Sequence, residues 1–190
     1  MEKGYDFIRK SLKRLTKKDD WVLEVGCGPA WYRDSVNGRY VGLDIRAEPY
    51  HSNLRVQIDI SGDGMFLPFK REVFDIVYFV AALYQMTDIE KALNEAYRVL
   101  KKGGLVLIFD YNKKTQKYLQ IIENFKRFCW NSKDLTNLLK ISGFSCIEPH
   151  LPFELRNENL FVSRLFTAFK RPLIKLYELH QGWNIAFGKK

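Results

Sequence analysis

Short apolar runs that alternate with helical patterns are the feature of this sequence that most constrains its fold. The runs that indicate buried strands cover residues 21–25, 40–44, 55–60, 74–80, 105–110 and 143–150. The clearest helical pattern lies over 88–100, where Asp88 is placed to cap the first turn. Strands that are apolar on both faces and alternate with helices are typical of an α/β domain with a mainly parallel sheet.

Further segments have a helical period. They cover residues 5–15, 29–36, 114–127 and 132–141. In the first of these, Ile8, Leu12 and Leu15 share one face, opposite basic residues. In the second, Pro29 suits the first position of a helix, so two helical turns are expected there.

Composition and cysteine spacing exclude several classes of protein. Hydrophobic residues make up 46% of the 190 residues, too many for a disordered chain. The sequence shows no apolar run long enough for a membrane-spanning helix and no apolar leader. The three cysteines, at positions 27, 129 and 146, form no C-x-x-C pair, so neither a disulfide framework nor a cysteine zinc site is expected. The histidines are scattered, and the sequence predicts a cytoplasmic protein without a metal ion.

The net charge of +9 is distributed unevenly. Residues 21–100 are net acidic, whereas 101–190 hold most of the excess of lysine and arginine. A basic surface attracts anions such as nucleic acid, phosphorylated metabolites or anionic lipid. The sequence contains no run of five like charges, and this argues against nucleic acid as the main partner.

A glycine-rich turn follows the first predicted strand. The segment E-V-G-C-G-P-A starts at Glu24, and Gly26 and Gly28 would let the backbone approach a ligand closely. The second predicted strand ends in Asp44, whose carboxylate suits the two hydroxyl groups of a ribose. Because ligands of open parallel sheets bind at the carboxyl ends of the strands, these residues predict a nucleoside site.

Two other nucleotide-binding motifs fit this turn poorly. The dinucleotide fingerprint G-x-G-x-x-G requires a third glycine where this chain has Trp31. The G-K-[S/T] of a phosphate-binding loop does not occur in the sequence. A nicotinamide dinucleotide and a nucleoside triphosphate are therefore disfavoured.

Several ordered motifs between Trp21 and Asp110 resemble those of the class I S-adenosylmethionine-dependent methyltransferases. V-L-E-V-G-C-G-P-A resembles the first motif of that family, with Ala30 in place of its third glycine, and Y-V-G-L-D resembles the second. S-G-D-G-M-F-L-P-F (61–69) resembles the G-D-A-x-x-L-P-F segment. A-L-N-E-A-Y-R-V-L-K-K-G-G-L-V-L-I (92–108) resembles the helix and strand that close the core.

The resemblance implies a Rossmann-like fold, with helices on both faces of a mainly parallel, seven-stranded sheet whose last strand is antiparallel. It implies one domain over 1–190, with an N-terminal helix (1–18), a cofactor-binding core (19–112) and an acceptor-side half (113–190) that carries a helical insertion at about 158–181. The implied cofactor is S-adenosylmethionine. The residues that the resemblance assigns to it are Glu24, Gly26, Cys27, Gly28, Asp44, Ile45, Asp63, Gly64, Met65 and Ala81.

Some of these assignments carry specific roles. Asp44 would hold the ribose, and Asp63 would take the adenine amino group. Asp59 also ends the third predicted strand and is an alternative to Asp63. Cys27 would contribute its backbone N–H and no thiol chemistry. Asp75, at the start of the fourth strand, is expected to have a structural role.

The methyl acceptor is the least specified part of the resemblance. The [D/N]-P-P-[Y/F] motif of amino-group methylation does not follow the fourth strand. Many relatives that act on small molecules have L-E-H after this strand, and Tyr84 and Gln85 stand at the Glu and His positions of that motif. The resemblance therefore assigns no catalytic residue. The candidates on the acceptor side are Tyr84, Gln85, Asp110, Tyr111 and Asn112. These features favour a small or lipid-linked organic acceptor, with an RNA methyltransferase or a catalytically inactive cofactor-binding protein as alternatives.

Residues 160–180 combine many large apolar side chains with a polar stripe that includes Arg164 and Lys175. Pro172 would break or kink a helix there. The pattern predicts helices whose apolar side is buried by the domain, by a second copy of the chain or by an anionic membrane surface. The expected oligomeric state is a monomer or a homodimer.

Overall fold

A computed structural model describes residues 2–45, 58–112, 132–147 and 183–190. The helices in these residues are α1 (Glu2–Leu15), α2 (Ile89–Val99) and α3 (Ser132–Ile141). The strands are β1 (Trp21–Val25), β2 (Arg39–Asp44), β3 (Ile60–Ser61), β4 (Phe74–Val80), β5 (Leu100–Tyr111), β6 (Ser145–Ile147) and β7 (Trp183–Lys189).

These strands form one sheet in the order β3-β2-β1-β4-β5-β7-β6. Neighbouring strands from β3 to β5 are parallel, whereas β7 runs antiparallel to both β5 and β6. The predicted mainly parallel sheet with an antiparallel last strand is confirmed. The strand order reverses between β1 and β4, so the carboxyl ends of these two strands flank the point where ligands bind in open α/β sheets.

The N-terminal helix covers one face of the sheet. α1 buries Phe7, Ile8 and Leu12 against side chains of β1, β4 and β5. Ile8 and Leu12 belong to the face that the sequence predicts, and Leu15 packs at its edge. Burial of each large apolar side chain contributes about 1.5–3 kcal/mol, so α1 is an integral part of the domain.

The opposite face is covered by α2 and α3. Leu93 of α2 and Leu135 of α3 are fully buried in the same core cluster. Asp88 caps α2, because its carboxylate accepts the N–H of Lys91 at 2.9 Å. The predicted helix, its cap and the helices on both faces are confirmed.

The third strand agrees with the prediction over only part of its described range. The sequence predicts a strand over 55–60, whereas of the described residues 58–61 only Ile60–Ser61 forms β3. The carboxylate of Asp59 accepts the N–H of Gly42 at 2.8 Å, so this N–H of β2 is not available to the backbone of a longer strand. Residues 46–57 lie outside the described part of the chain.

The fifth strand begins earlier than predicted, at Leu100 instead of residue 105. Phe74 pairs with Leu100 and Ile76 with Leu105, so the residues between these pairs bulge out of the ladder. Gly103 lies in the bulge with φ +79°, a conformation that favours glycine. The segment K-K-G-G between the predicted helix and the predicted fifth strand is therefore a bulge within β5.

The two helical turns predicted over 29–36 are wrong. Hydrogen bonds in this segment span three residues, for example from Ser35 N–H to Tyr32 O at 2.8 Å, and only Arg33–Ser35 forms a 3-10 turn. Ala30 has φ +56°, which is incompatible with an α-helix. The segment between β1 and β2 therefore presents no α-helix N-terminus to an anionic ligand.

The remaining predictions are only partly covered. α3, β6 and β7 confirm the predicted helix over 132–141 and the last two strands. The predicted helices over 114–127 and 158–181 lie outside the described residues, as does the rest of the sixth predicted strand at 148–150. In the portion that the structure describes, no helix has the length and apolar character needed to cross a membrane.

Candidate functional site

The glycine-rich turn after β1 is held against the end of β2. Leu43 O accepts the N–H groups of Gly26 (2.8 Å) and Cys27 (3.1 Å). Gly26 has φ +75°, and a Cβ atom there would lie 2.6 Å from the Cβ of Ala82, just after β4. Glycine is therefore required at this position, and the turn brings the ends of β1, β2 and β4 together.

Cys27 differs from its predicted role. Its N–H is bonded to Leu43 O and is not available to a ligand. The side chain is 6% exposed, and burial raises the pKa of the thiol to about 12. Cys27 is thus a buried small side chain within the turn, with a thiol that stays protonated.

Asp44 lies at the carboxyl end of β2, where the sequence predicts a ribose ligand. Its carboxylate is buried and accepts the N–H of Gly28 at 2.8 Å. An ionised carboxylate offers about four lone-pair sites, and the N–H of Gly28 occupies one of them. Ile45, the next residue, is 67% exposed, so an apolar side chain lies at the surface beside Asp44. The pair suits a nucleoside.

Asp63 and Asp59, the two alternatives for the adenine ligand, have different surroundings. Asp59 Oδ2 accepts hydrogen bonds from Arg33 Nη2 (2.8 Å) and from the N–H of Gly42 (2.8 Å). Among the described residues, the hydrogen bond that the Asp63 carboxylate accepts is the local one from the N–H of Met65, at 2.9 Å. Asp59 is therefore part of the framework around β2, and the geometry favours Asp63 as the ligand.

Gly64 brings the turn after β3 close to the glycine-rich turn. A Cβ atom at Gly64 would lie 2.7 Å from Val25 Cγ1 and 2.8 Å from Met86 Cε. The backbone therefore packs directly on the end of β1, and Met65 follows at once with a half-buried side chain. The two turns line the same edge of the sheet.

Glu24 lies beneath the site and not on its surface. It is 1% exposed, and its Oε2 accepts the hydroxyl groups of Tyr40 on β2 and Tyr78 on β4. Burial raises the pKa of Glu24 to about 8, although these two donors act in the opposite direction. The carboxyl group ties three strands together under the glycine-rich turn. Its predicted contact with the cofactor stays a prediction.

Asp110 does not face the acceptor, contrary to its predicted role. It is fully buried, and its carboxylate accepts the N–H groups of Tyr84 (2.9 Å), Tyr111 (2.8 Å) and Leu83. Burial raises the pKa of Asp110 to about 7, although these backbone donors lower it. Asp110 therefore positions the turn that follows β4 relative to the end of β5.

The other acceptor-side candidates are placed in different ways. The rings of Tyr84 and Tyr111 meet edge to face, with 5.4 Å between their centroids. Gln85 Nε2 donates to Ala81 O at 3.1 Å, and Ala81 has φ +49°. Asn112 is buried. The structure thus brings the two tyrosines together, while Gln85 folds back on its own turn.

Two further tyrosines, which no sequence motif indicates, extend this group. Tyr5 of α1 is hydrogen-bonded to Tyr111. Tyr32 follows the glycine-rich turn, is 3% exposed and has a buried hydroxyl with no hydrogen-bond partner among the described residues. Because these side chains come from distant parts of the chain, local periodicity carries no signal for them.

Other features of the described residues offer no comparable site. No cluster of three or more His, Cys, Asp or Glu able to hold a metal ion occurs there. A cavity of about 540 Å³ lies beside α2 and includes Lys91, Arg98 and Lys190 in its lining. Arg98 is paired with Glu95 at 2.6 Å, and Lys190 Nζ donates to Leu100 O at 2.7 Å. Arg98 and Lys190 therefore make contacts that stabilise the fold.

Comparison with known proteins agrees with this geometry. Residues 23–108 match the family model described as a methyltransferase domain. The chain is 49% identical over 55 residues to a demethylmenaquinone methyltransferase of Streptomyces griseus, covering 29% of this chain and 24% of that protein. It is 32% identical over 125 residues to a sterol 24-C-methyltransferase of Pneumocystis carinii, covering 56% of this chain and 33% of that protein. The chain thus spans a third or less of these relatives' length.

Among solved structures, the chain is similar to phosphoethanolamine N-methyltransferase 2 of Haemonchus contortus in complex with phosphomonomethylethanolamine and S-adenosylhomocysteine. The TM-score is 0.63 at 17% identity, and the match covers 100% of this chain and 52% of that one. At this identity the likeness shows the fold alone.

Proposed function

We propose that this chain transfers a methyl group from S-adenosylmethionine to a small or lipid-linked organic acceptor, because residues 23–108 match a methyltransferase domain. The observation that carries the proposal is the shared edge formed by the glycine-rich turn, Asp44 and the turn of Asp63. The names of the two curated relatives give demethylmenaquinone and sterol as their acceptors, which supports a lipid-soluble acceptor.

The residues at this edge fit the cofactor. Gly26 and Gly64 pack directly against side chains at the ends of the strands, which brings both turns to the same edge of the sheet. Asp44 would hold the ribose hydroxyls, and Asp63 would take the adenine amino group. The exposed side chain of Ile45 would pack against the base.

The chain's contribution to catalysis is mainly positional. S-adenosylmethionine supplies a methyl group that its sulfonium already activates. The residues must hold donor and acceptor in line and exclude water, and such alignment is worth about 7–11 kcal/mol of the barrier in the most favourable cases. Asp110 supports this by fixing Tyr84 and Tyr111 through their backbone N–H groups. Since Asp110 is fully buried, it does not serve as a base for the acceptor.

Transfer of a labelled methyl group tests the proposal. The chain is incubated with S-adenosylmethionine labelled at the methyl group and with micelles that contain either a reduced, unmethylated quinone or a sterol. We expect label in the organic extract of at least one mixture, and much less label with Asp44→Asn. Heat-unfolded chain is the control. No transfer to either lipid, by a chain that binds S-adenosylhomocysteine, would contradict the proposal and favour a catalytically inactive binding protein.

A further inference from the structure

Three tyrosines from separate elements meet beside the ends of β4 and β5. The rings of Tyr84 and Tyr111 are in edge-to-face contact, 5.4 Å apart between centroids. Tyr111 is also hydrogen-bonded to Tyr5 of α1. The group therefore lies near the carboxyl ends of β4 and β5, at the border of the face that α1 covers and next to the turn that follows β4.

Tyr32 adds a buried hydroxyl to the same group. Tyr32 belongs to the core cluster beneath α1, and Tyr5 and Tyr111 both pack against that cluster. Tyr32 is 3% exposed, and within the part of the chain that the structure describes its hydroxyl makes no hydrogen bond. Buried hydroxyls are normally bonded to protein, ordered water or ligand. The unused hydroxyl of Tyr32 is therefore a place for a ligand oxygen.

The group is held in position by contacts that do not involve a ligand. Asp110 accepts the N–H groups of both Tyr84 and Tyr111. Burial raises the pKa of the Tyr32 and Tyr111 hydroxyls above the usual range, so both remain protonated donors at neutral pH. A subsite fixed in this way loses little conformational entropy when a ligand binds.

We propose that Tyr5, Tyr32, Tyr84 and Tyr111 form the acceptor subsite and select a planar, unsaturated ring that carries an oxygen substituent, as in a phenol or a quinol. Tyr84 and Tyr111 provide aromatic surface, which favours a flat ring. The hydroxyl of Tyr32 donates a hydrogen bond to the oxygen on that ring. A saturated and puckered ring, as in a sterol, makes fewer aromatic contacts there. The proposal rests on the proposed function and narrows its acceptor class.

Three fused-ring probes of nearly equal size separate these contributions. The probes are 1-naphthol, naphthalene, which lacks the oxygen, and decahydro-1-naphthol, which lacks the aromatic ring. Binding to the full chain is measured by ligand-observed NMR, with and without saturating S-adenosylhomocysteine. We expect 1-naphthol to bind roughly tenfold more tightly than naphthalene, the effect of about one hydrogen bond. We also expect it to bind more tightly than decahydro-1-naphthol.

Two variants assign the preference to residues. Tyr32→Phe removes one hydroxyl, and we expect it to abolish the preference for 1-naphthol over naphthalene while the affinity for naphthalene stays the same. Tyr84→Ala is expected to weaken both aromatic probes. Tyr97→Phe is the matched control, because Tyr97 lies on α2 and its ring packs against Phe144. Affinity for S-adenosylhomocysteine should change less than twofold in all three.

Failure of the tyrosine subsite and failure of the proposed function would appear in different measurements. Equal binding of the three probes, or a preference for 1-naphthol that survives Tyr32→Phe, would overturn the tyrosine subsite while cofactor binding still supports the proposed function. Tighter binding of decahydro-1-naphthol would overturn the planar class in favour of a saturated ring. Loss of S-adenosylhomocysteine binding in the unmodified chain would overturn the proposed function, and the probe series without cofactor would still decide the subsite.

Discussion

Asp44 serves both the protein and its proposed ligand. It accepts the N–H of Gly28 at 2.8 Å and would also accept the ribose hydroxyls. Asp44→Asn keeps the shape and one oxygen for Gly28 but removes the charge. We expect the dissociation constant for S-adenosylhomocysteine to rise by a factor that corresponds to roughly 1.5–3 kcal/mol, the contribution of a hydrogen bond to a charged group. Isothermal titration calorimetry measures this change.

Asp75 provides the matched control for that prediction. Its carboxylate accepts the N–H of Trp21 at 2.9 Å and pairs with Lys101 at 2.8 Å, at the amino ends of β1 and β4. Its predicted structural role is confirmed. Asp75→Asn should leave cofactor affinity unchanged. An equal loss in both variants, or no loss in folded Asp44→Asn, would show that Asp44 does not hold the ribose.

Glu24 should make stability depend on pH. Its pKa is about 8 in the folded chain and 4.5 as the ordinary value, so between these values the folded state binds a proton that the unfolded state releases. The free energy of unfolding should therefore fall as pH rises from about 5 to 8, by up to ~1.4 kcal/mol per unit from this group. Urea unfolding at several pH values should show this component in the unmodified chain and not in Glu24→Gln.

The titration of Asp110 does not affect the comparison between the unmodified chain and Glu24→Gln. Its pKa, raised to about 7, produces a slope of the same sign. It is present in both proteins, so the difference between them isolates Glu24. Parallel pH profiles for the unmodified chain and Glu24→Gln would mean that the Glu24 carboxyl is ionised in the folded state.

At the scale of elements, the glycine-rich turn should be the least tolerant connection. Gly26→Ala places a Cβ atom 2.6 Å from the Cβ of Ala82 and forces alanine to φ +75°. Gly103→Ala imposes a similar φ of +79°, but the nearest atom, Lys189 Cε, is 3.8 Å away. We expect Gly103→Ala to cost about 1–2 kcal/mol from backbone conformation alone, and Gly26→Ala to cost clearly more. Chemical denaturation of both variants checks this, and equal losses would contradict the close packing of the turn.

The elements that the sequence predicts well are those with a strong local cause. β1, β2 and β4 are mainly apolar runs, and α2 combines an apolar face with the Asp88 cap. The prediction of two helical turns over 29–36 is wrong because so short an α-helix is not stable by itself. Hydrogen bonds between residues three apart form there instead. The predicted strand does not include residues 58 and 59, where the side chain of Asp59 accepts an N–H of β2.

The residues of the candidate site also differ in how well the sequence predicts them. Gly26, Asp44 and Asp63 are predictable because each belongs to a motif next to a strand end. The burial of Asp110 and Glu24 is not, since it depends on tyrosines and backbone groups contributed by other strands. The tyrosine group is also invisible in the sequence, because Tyr5, Tyr32, Tyr84 and Tyr111 meet only in the folded sheet.

For the whole molecule, the net charge of +9 leaves RNA as an alternative acceptor. We expect only weak RNA binding that falls steeply with salt, because it depends on counterion release and not on a dedicated RNA-binding module. A gel-shift series with a structured RNA from low to physiological salt measures this. Tight binding that persists at physiological salt would favour an RNA methyltransferase over a small or lipid-linked acceptor.

Cofactor binding by the whole chain is the most direct test of the central claim, that the edge formed by the glycine-rich turn, Asp44 and Asp63 holds S-adenosylmethionine. The measurement is isothermal titration calorimetry of the folded chain with S-adenosylhomocysteine, and with reduced nicotinamide dinucleotide as the competing ligand class. We predict saturable, micromolar binding of one S-adenosylhomocysteine per chain and no binding of the dinucleotide. No binding of S-adenosylhomocysteine at millimolar concentration, by protein that unfolds cooperatively, would contradict the account.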